Sequence, residues 1–175
     1  LIGLLCDYRE KLGIDEVTFH KYTPLREDRS KVYDLMKRGA KLAVMDDRKK
    51  EFKDLGMDPT IETTEAIARA SVIIDCTPKG FGHQNKSQFY EKFKDGKGFL
   101  AQGSEDGFGK KYARGINDSA LVQGKDQFIQ IVSCNTHNVA CITNTLALNN
   151  NDPNNLVEGR YVCVRRAADI SQTSA

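Results

Sequence analysis

Ser71-Val72-Ile73-Ile74-Asp75-Cys76, running into Thr77-Pro78-Lys79-Gly80-Phe81-Gly82, decides how the fold of this chain is read. A continuous apolar run without alternation marks a strand covered on both faces, as parallel sheets require. The Pro- and Gly-bearing loop after it leads into a helix over 84–94, and Gly98-Phe99-Leu100-Ala101-Gln102-Gly103 reads as the next strand. Upstream the same alternation holds. Apolar positions at helical spacing predict a helix over 1–12 stopped by Gly13, then a strand over 17–20, a helix over 28–38 ending at Gly39 and a strand over 41–45. A short helix over 47–55, a turn at 56–59 and a helix over 63–69 capped by Thr63 or Thr64 complete that half. Strands alternating with helices predict an α/β fold, a doubly wound parallel sheet over residues 1–133, whose ligands lie outside the carboxyl ends of the strands. The loop at 77–82, the loop after Gln102 and Cys134 all leave such ends and are expected on one rim.

Residues 103–127 are polar and Gly-rich without periodicity and read as a long functional or mobile loop with at most one short helical turn. Phe128-Ile129-Gln130-Ile131-Val132-Ser133-Cys134-Asn135-Thr136-His137 then ends a β-branched strand at a cysteine, where a helix over 137–148 begins. A thiol at a helix N-terminus faces unpaired backbone amides and the positive end of the helix dipole, which favour thiolate and can hold an oxyanion. Cys134 is therefore the candidate nucleophile. A small buried cysteine closing a strand is the competing reading. Beyond the turn cluster at 149–155, residues 159–166 predict a last strand.

The 175 residues suffice for one domain or one and a half smaller ones. With 26 basic and 24 acidic side chains the net charge is +2, which argues against a dedicated nucleic-acid or membrane surface. Five cysteines, at 6, 76, 134, 141 and 163, include no C-x-x-C pair, so no metal site and no disulfide framework is expected, and a reducing cytoplasm fits. Cys76, Cys141 and Cys163 read as packing residues. No apolar run reaches the roughly 20 residues of a membrane span. The chain opens at Leu1, inside an apolar-periodic segment, and is expected to be a fragment or trimmed form of something longer.

Taken together, Val72 to Gly82, Ala101-Gln102-Gly103-Ser104-Glu105, Val132 to Thr136, and Val164-Arg165-Arg166-Ala167-Ala168-Asp169 resemble, in order and spacing, the archaeal-type (type II) glyceraldehyde-3-phosphate dehydrogenases. The resemblance runs from about Val17 to Asp169. It implies an incomplete Rossmann-type domain over 1–133 and the start of an α+β catalytic domain over 134–175. It also implies oxidation of the aldehyde of glyceraldehyde 3-phosphate, with inorganic phosphate capturing the acyl group, in a homotetramer. On this resemblance Cys134 forms the thioester, Arg165 and Arg166 bind phosphate, and Asn135 and Thr136 line the same site. Forked arginine donors suit phosphate oxygens, although neighbours on a strand face opposite ways. A solvated strand end is the other reading of that pair.

The Gly-x-Gly-x-x-Gly fingerprint of dinucleotide-binding folds is not in the sequence. If residues 1–12 continue its helix, the glycines lie upstream of Leu1. Where an acid would grip the ribose of NAD, the chain has His20-Lys21-Tyr22-Thr23, so NADP is favoured over NAD, with Lys21 and Thr23 toward a 2′-phosphate. An ordinary exposed lysine remains as good a reading. Thr77, Pro78, Gln102 and Gly103 are the remaining cofactor candidates, with turn chemistry as the competitor. His137, three residues after Cys134, reads as a helix-surface residue rather than the general base, which the resemblance puts beyond Ala175. A semialdehyde dehydrogenase of the acyl-phosphate type and a catalytically inert nucleotide-binding module are the alternatives.

Overall fold

The computed structural model describes residues 1–93, 96–148 and 152–164, and the chain divides into two compact units, Leu1–Ala70 and Ser71–Ala175. In the first, strands β1 (Thr18–His20), β2 (Lys41–Val44) and β3 (Ile61–Glu62) form a parallel sheet in that order. Helices α1 (Ile2–Asp7), α2 (Arg29–Lys37), α3 (Lys49–Asp54) and α4 (Thr63–Arg69) accompany it. Val17, Phe19, Val32, Leu42, Val44, Phe52 and Met57 make the core, and Ile2, Leu5 and Cys6 of α1 pack on it. Contiguous apolar side chains of this kind, removed from water at roughly 25 cal/mol per Å², are what hold so small a sheet together.

The second unit holds β4 (Val72–Asp75), β5 (Gly98–Ala101), β6 (Lys110–Tyr112) and β7 (Phe128–Ile131), ordered β4-β5-β7-β6, with α5 (Phe81–Gln88) and α6 (Cys134–Thr143). Every pairing is parallel. Its core is aromatic: Phe99 stacks between Tyr90 and Phe128 at centroid distances of 4.8 and 4.9 Å, and Phe108 meets Phe128 edge-on. Parallel sheets with flanking helices bear out the α/β expectation and are compatible with a partial Rossmann-like fold.

Several local expectations change. The first helix is shorter than 1–12, ending at Asp7 in turns that close at Gly13, whose φ of +63° marks the expected stop. The cap of α4 is neither Thr63 nor Thr64 but Glu62, whose carboxylate accepts from the Thr64 and Glu65 amides at 2.7 and 3.2 Å. A longer acidic side chain can bridge back over two amides from the strand end. β4 is not covered on both faces: Val72 is 57% and Ile74 39% exposed, and β4 is an edge strand of its sheet.

The supposed loop 103–127 contains β6. Lys-Lys-Tyr carries no apolar signal, and the segment becomes a strand by pairing with β7 while Lys110 donates to the Ala120 carbonyl and the Asp126 carboxylate. α6 begins at Cys134, three residues before the expected start, and passes at Asn144 into a wider turn ending at Leu148. The expected strand over 159–166 does not form among the described residues: 156–164 have no regular structure, and Val157, Val162 and Val164 are more than 90% exposed. A β-branched run forms a strand only with a neighbour to complete its ladder. Cys163 accordingly is exposed rather than packed, and Cys76, just past β4, is exposed as well.

Candidate active site

Parallel register sets the rim of the second sheet. Asp75 pairs with Ala101, Ala101 with Gln130, and Tyr112 with Ile131, so the chain leaves β4, β5, β6 and β7 at the same edge. Thr77, Pro78, Gln102, Gly103, Ser133 and Cys134 all follow those strand ends.

Cys134 is the first residue of α6 and is exposed. Ser133 caps the helix: its Oγ accepts from the Thr136 amide at 3.2 Å and lies 2.8 Å from the Thr136 hydroxyl. An extended residue with a hydroxyl acceptor is the usual way to satisfy a first-turn donor, which is why the strand converts to helix here. Asn135 and Thr136 are exposed on that same turn, and the Cys134 thiol lies 3.9 Å from the Asn135 side-chain oxygen Oδ1. His137 is turned elsewhere, with Nε2 2.9 Å from the Arg114 carbonyl oxygen. A carbonyl only accepts, so in this contact Nε2 is the donor.

At the end of β4, Asp75 is buried among donors: the Thr77 amide at 2.9 Å, the Thr77 hydroxyl at 2.5 Å, Asn85 Nδ2 at 2.9 Å and the Tyr90 hydroxyl at 2.8 Å. Burial alone raises a carboxyl pKa, yet the bonds from Thr77, Asn85 and Tyr90 outweigh it and hold Asp75 below its ordinary value. Thr77 is thus committed to Asp75, while Pro78 is exposed beside it. Desolvation, and then the Asp75 charge, push the neighbouring Cys76 thiol up.

Gly103 lies against the nucleophile strand, since a methyl group built on it would stand 2.4 Å from the Ser133 nitrogen. Gln102 is exposed and its carbonyl accepts from the Glu105 amide at 3.0 Å. Two buried polar side chains that carried no role in the sequence reading shape this edge. Glu105, 1% exposed, accepts from the Gly80 amide at 2.6 Å and the His83 amide at 3.2 Å; Gln130, 3% exposed, accepts from the Gly107 amide at 3.1 Å and donates to the Gly103 carbonyl at 3.4 Å. The legible signal was Gln130 itself, a lone amide in a β-branched run.

The remaining candidates belong to the first unit. Lys21 follows β1 and forms an ion pair with Asp28 at 2.5 Å, and that hydrogen bond depresses the Asp28 carboxyl. Thr23 is exposed in the loop beyond. Nearby, Arg48 lies over the Tyr22 ring, 4.3 Å from its centroid, a cation-bearing pair the sequence reading missed. Arg165 and Arg166 lie outside the described residues. Among the described residues no group of three or more His, Cys, Asp or Glu side chains is placed to hold a metal ion, and no helix is long and apolar enough to cross a membrane.

No protein-family model matches the chain. Among curated proteins it is similar to the glyceraldehyde-3-phosphate dehydrogenase of Methanobacterium bryantii, 33% identical over 128 residues, which are 72% of this chain and 36% of that protein. The same-named enzyme of Metallosphaera sedula is 33% identical over 141 residues, 78% of this chain and 38% of the relative. That of Pyrobaculum arsenaticum is 29% identical over 136 residues, 75% and 37% respectively. The chain thus spans less than two fifths of the length of these relatives.

Proposed function

We propose, from its similarity to the archaeal glyceraldehyde-3-phosphate dehydrogenases, that this chain carries the nucleophile and much of the dinucleotide-binding part of a phosphorylating NAD(P)-dependent aldehyde dehydrogenase. The observation that carries the reading is Cys134, an exposed thiol on the first turn of α6 at the carboxyl edge of a parallel sheet. Residues 1–133 supply the cofactor portion and 134–175 open the catalytic portion.

The chemistry follows from that thiol. The Cys134 sulfur adds to the aldehyde carbon of glyceraldehyde 3-phosphate, and the carbonyl oxygen takes a proton, giving a hemithioacetal. Amides of the first turn of α6 face the oxygen as charge develops there. A bound NAD(P) supplies the hydride acceptor. Loss of hydride from the carbon and of the proton from oxygen leaves a thioester on Cys134. A phosphate oxygen then attacks the thioester carbonyl, the C–S bond breaks, and 1,3-bisphosphoglycerate leaves the thiolate restored. By the resemblance, Arg165 and Arg166 hold phosphate groups through paired N–H donors, and Asn135 and Thr136 are proposed as further substrate-binding residues. The resemblance puts the general base beyond Ala175, and His137 Nε2 is engaged with the Arg114 carbonyl.

Carboxyl ends of parallel strands, with loops leaving them toward helices, fit a dinucleotide. In the first unit Lys21 and Thr23, after β1, are proposed as contacts to the adenosine ribose, where a cation and a hydroxyl favour NADP; in the second unit Thr77, Pro78, Gln102 and Gly103, at the strand ends, are proposed as cofactor residues in their own right. The enzyme is proposed to work in the cytoplasm as a homotetramer, in glycolysis and gluconeogenesis.

Reduction of NADP and NAD, followed in parallel with glyceraldehyde 3-phosphate and phosphate for wild type and Cys134→Ser, tests the reading. Aldehyde-dependent reduction that vanishes in the serine variant supports it, as does an acyl adduct on Cys134 by mass spectrometry. Turnover of aspartate or glutamate semialdehyde alone would transfer the assignment to the related acyl-phosphate dehydrogenases. Neither turnover nor adduct would leave an inert nucleotide-binding module.

A further inference from the structure

We infer that Gln130 and Glu105 are positioning residues for the Cys134 nucleophile, acting together as a two-point latch on the segment 103–107. The inference rests on the reading of Cys134 as nucleophile and adds to it how the thiol is held. Buried polar side chains in a small aromatic core persist where their bonds are satisfied, and both of these are. What they bind is backbone of the loops that follow β4 and β5, at the edge of the sheet where β7 leads to Cys134.

Glu105 spans two amides at the mouth of α5, one carboxylate oxygen on Gly80 and the other on His83. It fits because Gly82 has no side chain: a Cβ there would stand 2.9 Å from Glu105 Cγ. Gln130 reaches up from β7 and takes the same loop at both ends, Gly107 through its oxygen and Gly103 through its nitrogen. Clamped at 105 by α5 and at 103 and 107 by β7, the loop has one place to go. Its Gly103 presses on the Val132–Ser133 backbone immediately before Cys134. Ser133 in turn holds the first turn of α6 through Thr136 and through the His137 amide, which donates to the Ser133 carbonyl at 2.8 Å. The latch therefore fixes the cap residue, and the cap residue fixes which amides the sulfur meets.

The test is peptide-resolved alkylation by iodoacetamide on wild type, Gln130→Leu and Glu105→Gln, with Cys163, in the segment without regular structure, as internal reference. Hydrogen exchange at Gly107 reports whether the latch has opened, and the Cys134 and Asn135 amide resonances give a local signature that a purely structural role elsewhere in the core would leave in place. In each folded variant the Cys134 to Cys163 rate ratio is expected to fall at least threefold, with displaced Cys134 and Asn135 resonances. A smaller fall, an unchanged ratio or a rise overturns the inference, whatever the Gly107 exchange. Should Gln130→Leu fail to fold, Glu105→Gln decides, since it keeps the side chain's shape and one acceptor. Failure of the nucleophile reading shows separately, as wild-type protein that forms no acyl adduct on Cys134.

Discussion

The Tyr90 hydroxyl donates to the buried Asp75 carboxylate across 2.8 Å, tying the aromatic core of the second unit to the point where the chain leaves β4. The same carboxylate holds the Thr77 amide and hydroxyl, so core and rim share one anion. Burial, then the Asp75 charge and its hydrogen bond, push the Tyr90 phenol well above its usual range. The proton stays on the phenol and the bond keeps its direction.

Tyr90→Phe keeps the stack on Phe99 and removes one donor to a charged acceptor. A loss of about 1.5–3 kcal/mol is expected, the range for hydrogen bonds to charged groups. Urea unfolding of wild type and variant measures it, and equal midpoints would show that Thr77 and Asn85 suffice for Asp75.

Asp75 also sets an acid limit. Its folded pKa lies below the ordinary carboxylate value of about 3.9, so its contribution to stability is complete above that value and is lost as pH falls through the lowered folded one. Unfolding midpoints followed from about pH 5 down to about pH 2 should therefore drop below the ordinary carboxylate value in wild type and flatten there in Asp75→Asn. An unchanged slope in the variant would assign the acid sensitivity to other carboxylates.

Gly103→Ala places a methyl group where Ser133 backbone already stands. Overpacking of this kind costs about 1–3 kcal/mol, and the neighbour here is backbone rather than a flexible side chain. The variant should unfold at lower denaturant and exchange faster at the Thr136 amide. Wild-type stability would mean the two segments separate easily.

Lys21 is held by Asp28, which competes with any anion brought to the end of β1. Releasing it with Asp28→Asn should tighten binding of 2′,5′-ADP about threefold to fivefold relative to 5′-ADP, the scale of a partly exposed ion pair near 1 kcal/mol. Lys21→Gln should do the opposite. Calorimetric titration reads both, and no difference between the two nucleotides in any variant would remove Lys21 from the cofactor site.

Amino-acid order by itself determined the α/β class, because apolar runs such as Val72 to Asp75 and Phe128 to Ile131 alternate with helical spacing and glycine stops, and those patterns are local. It also marked Cys134 at a strand-to-helix junction, since a short β-branched run followed by Ser-Cys-Asn-Thr is legible without partners. It left β6 invisible and promised a strand over 159–166, for one reason: a strand is completed by its neighbour. Lys110–Tyr112 gained one in β7, while the described residues 159–164 have none. Tertiary structure alone decided that Glu105 would close the mouth of α5, that Gln130 would hold Gly103 and Gly107, and that His137 would turn to Arg114. Each joins residues more than twenty positions apart, and distances of that kind are set by how elements pack rather than by the order of the residues within them.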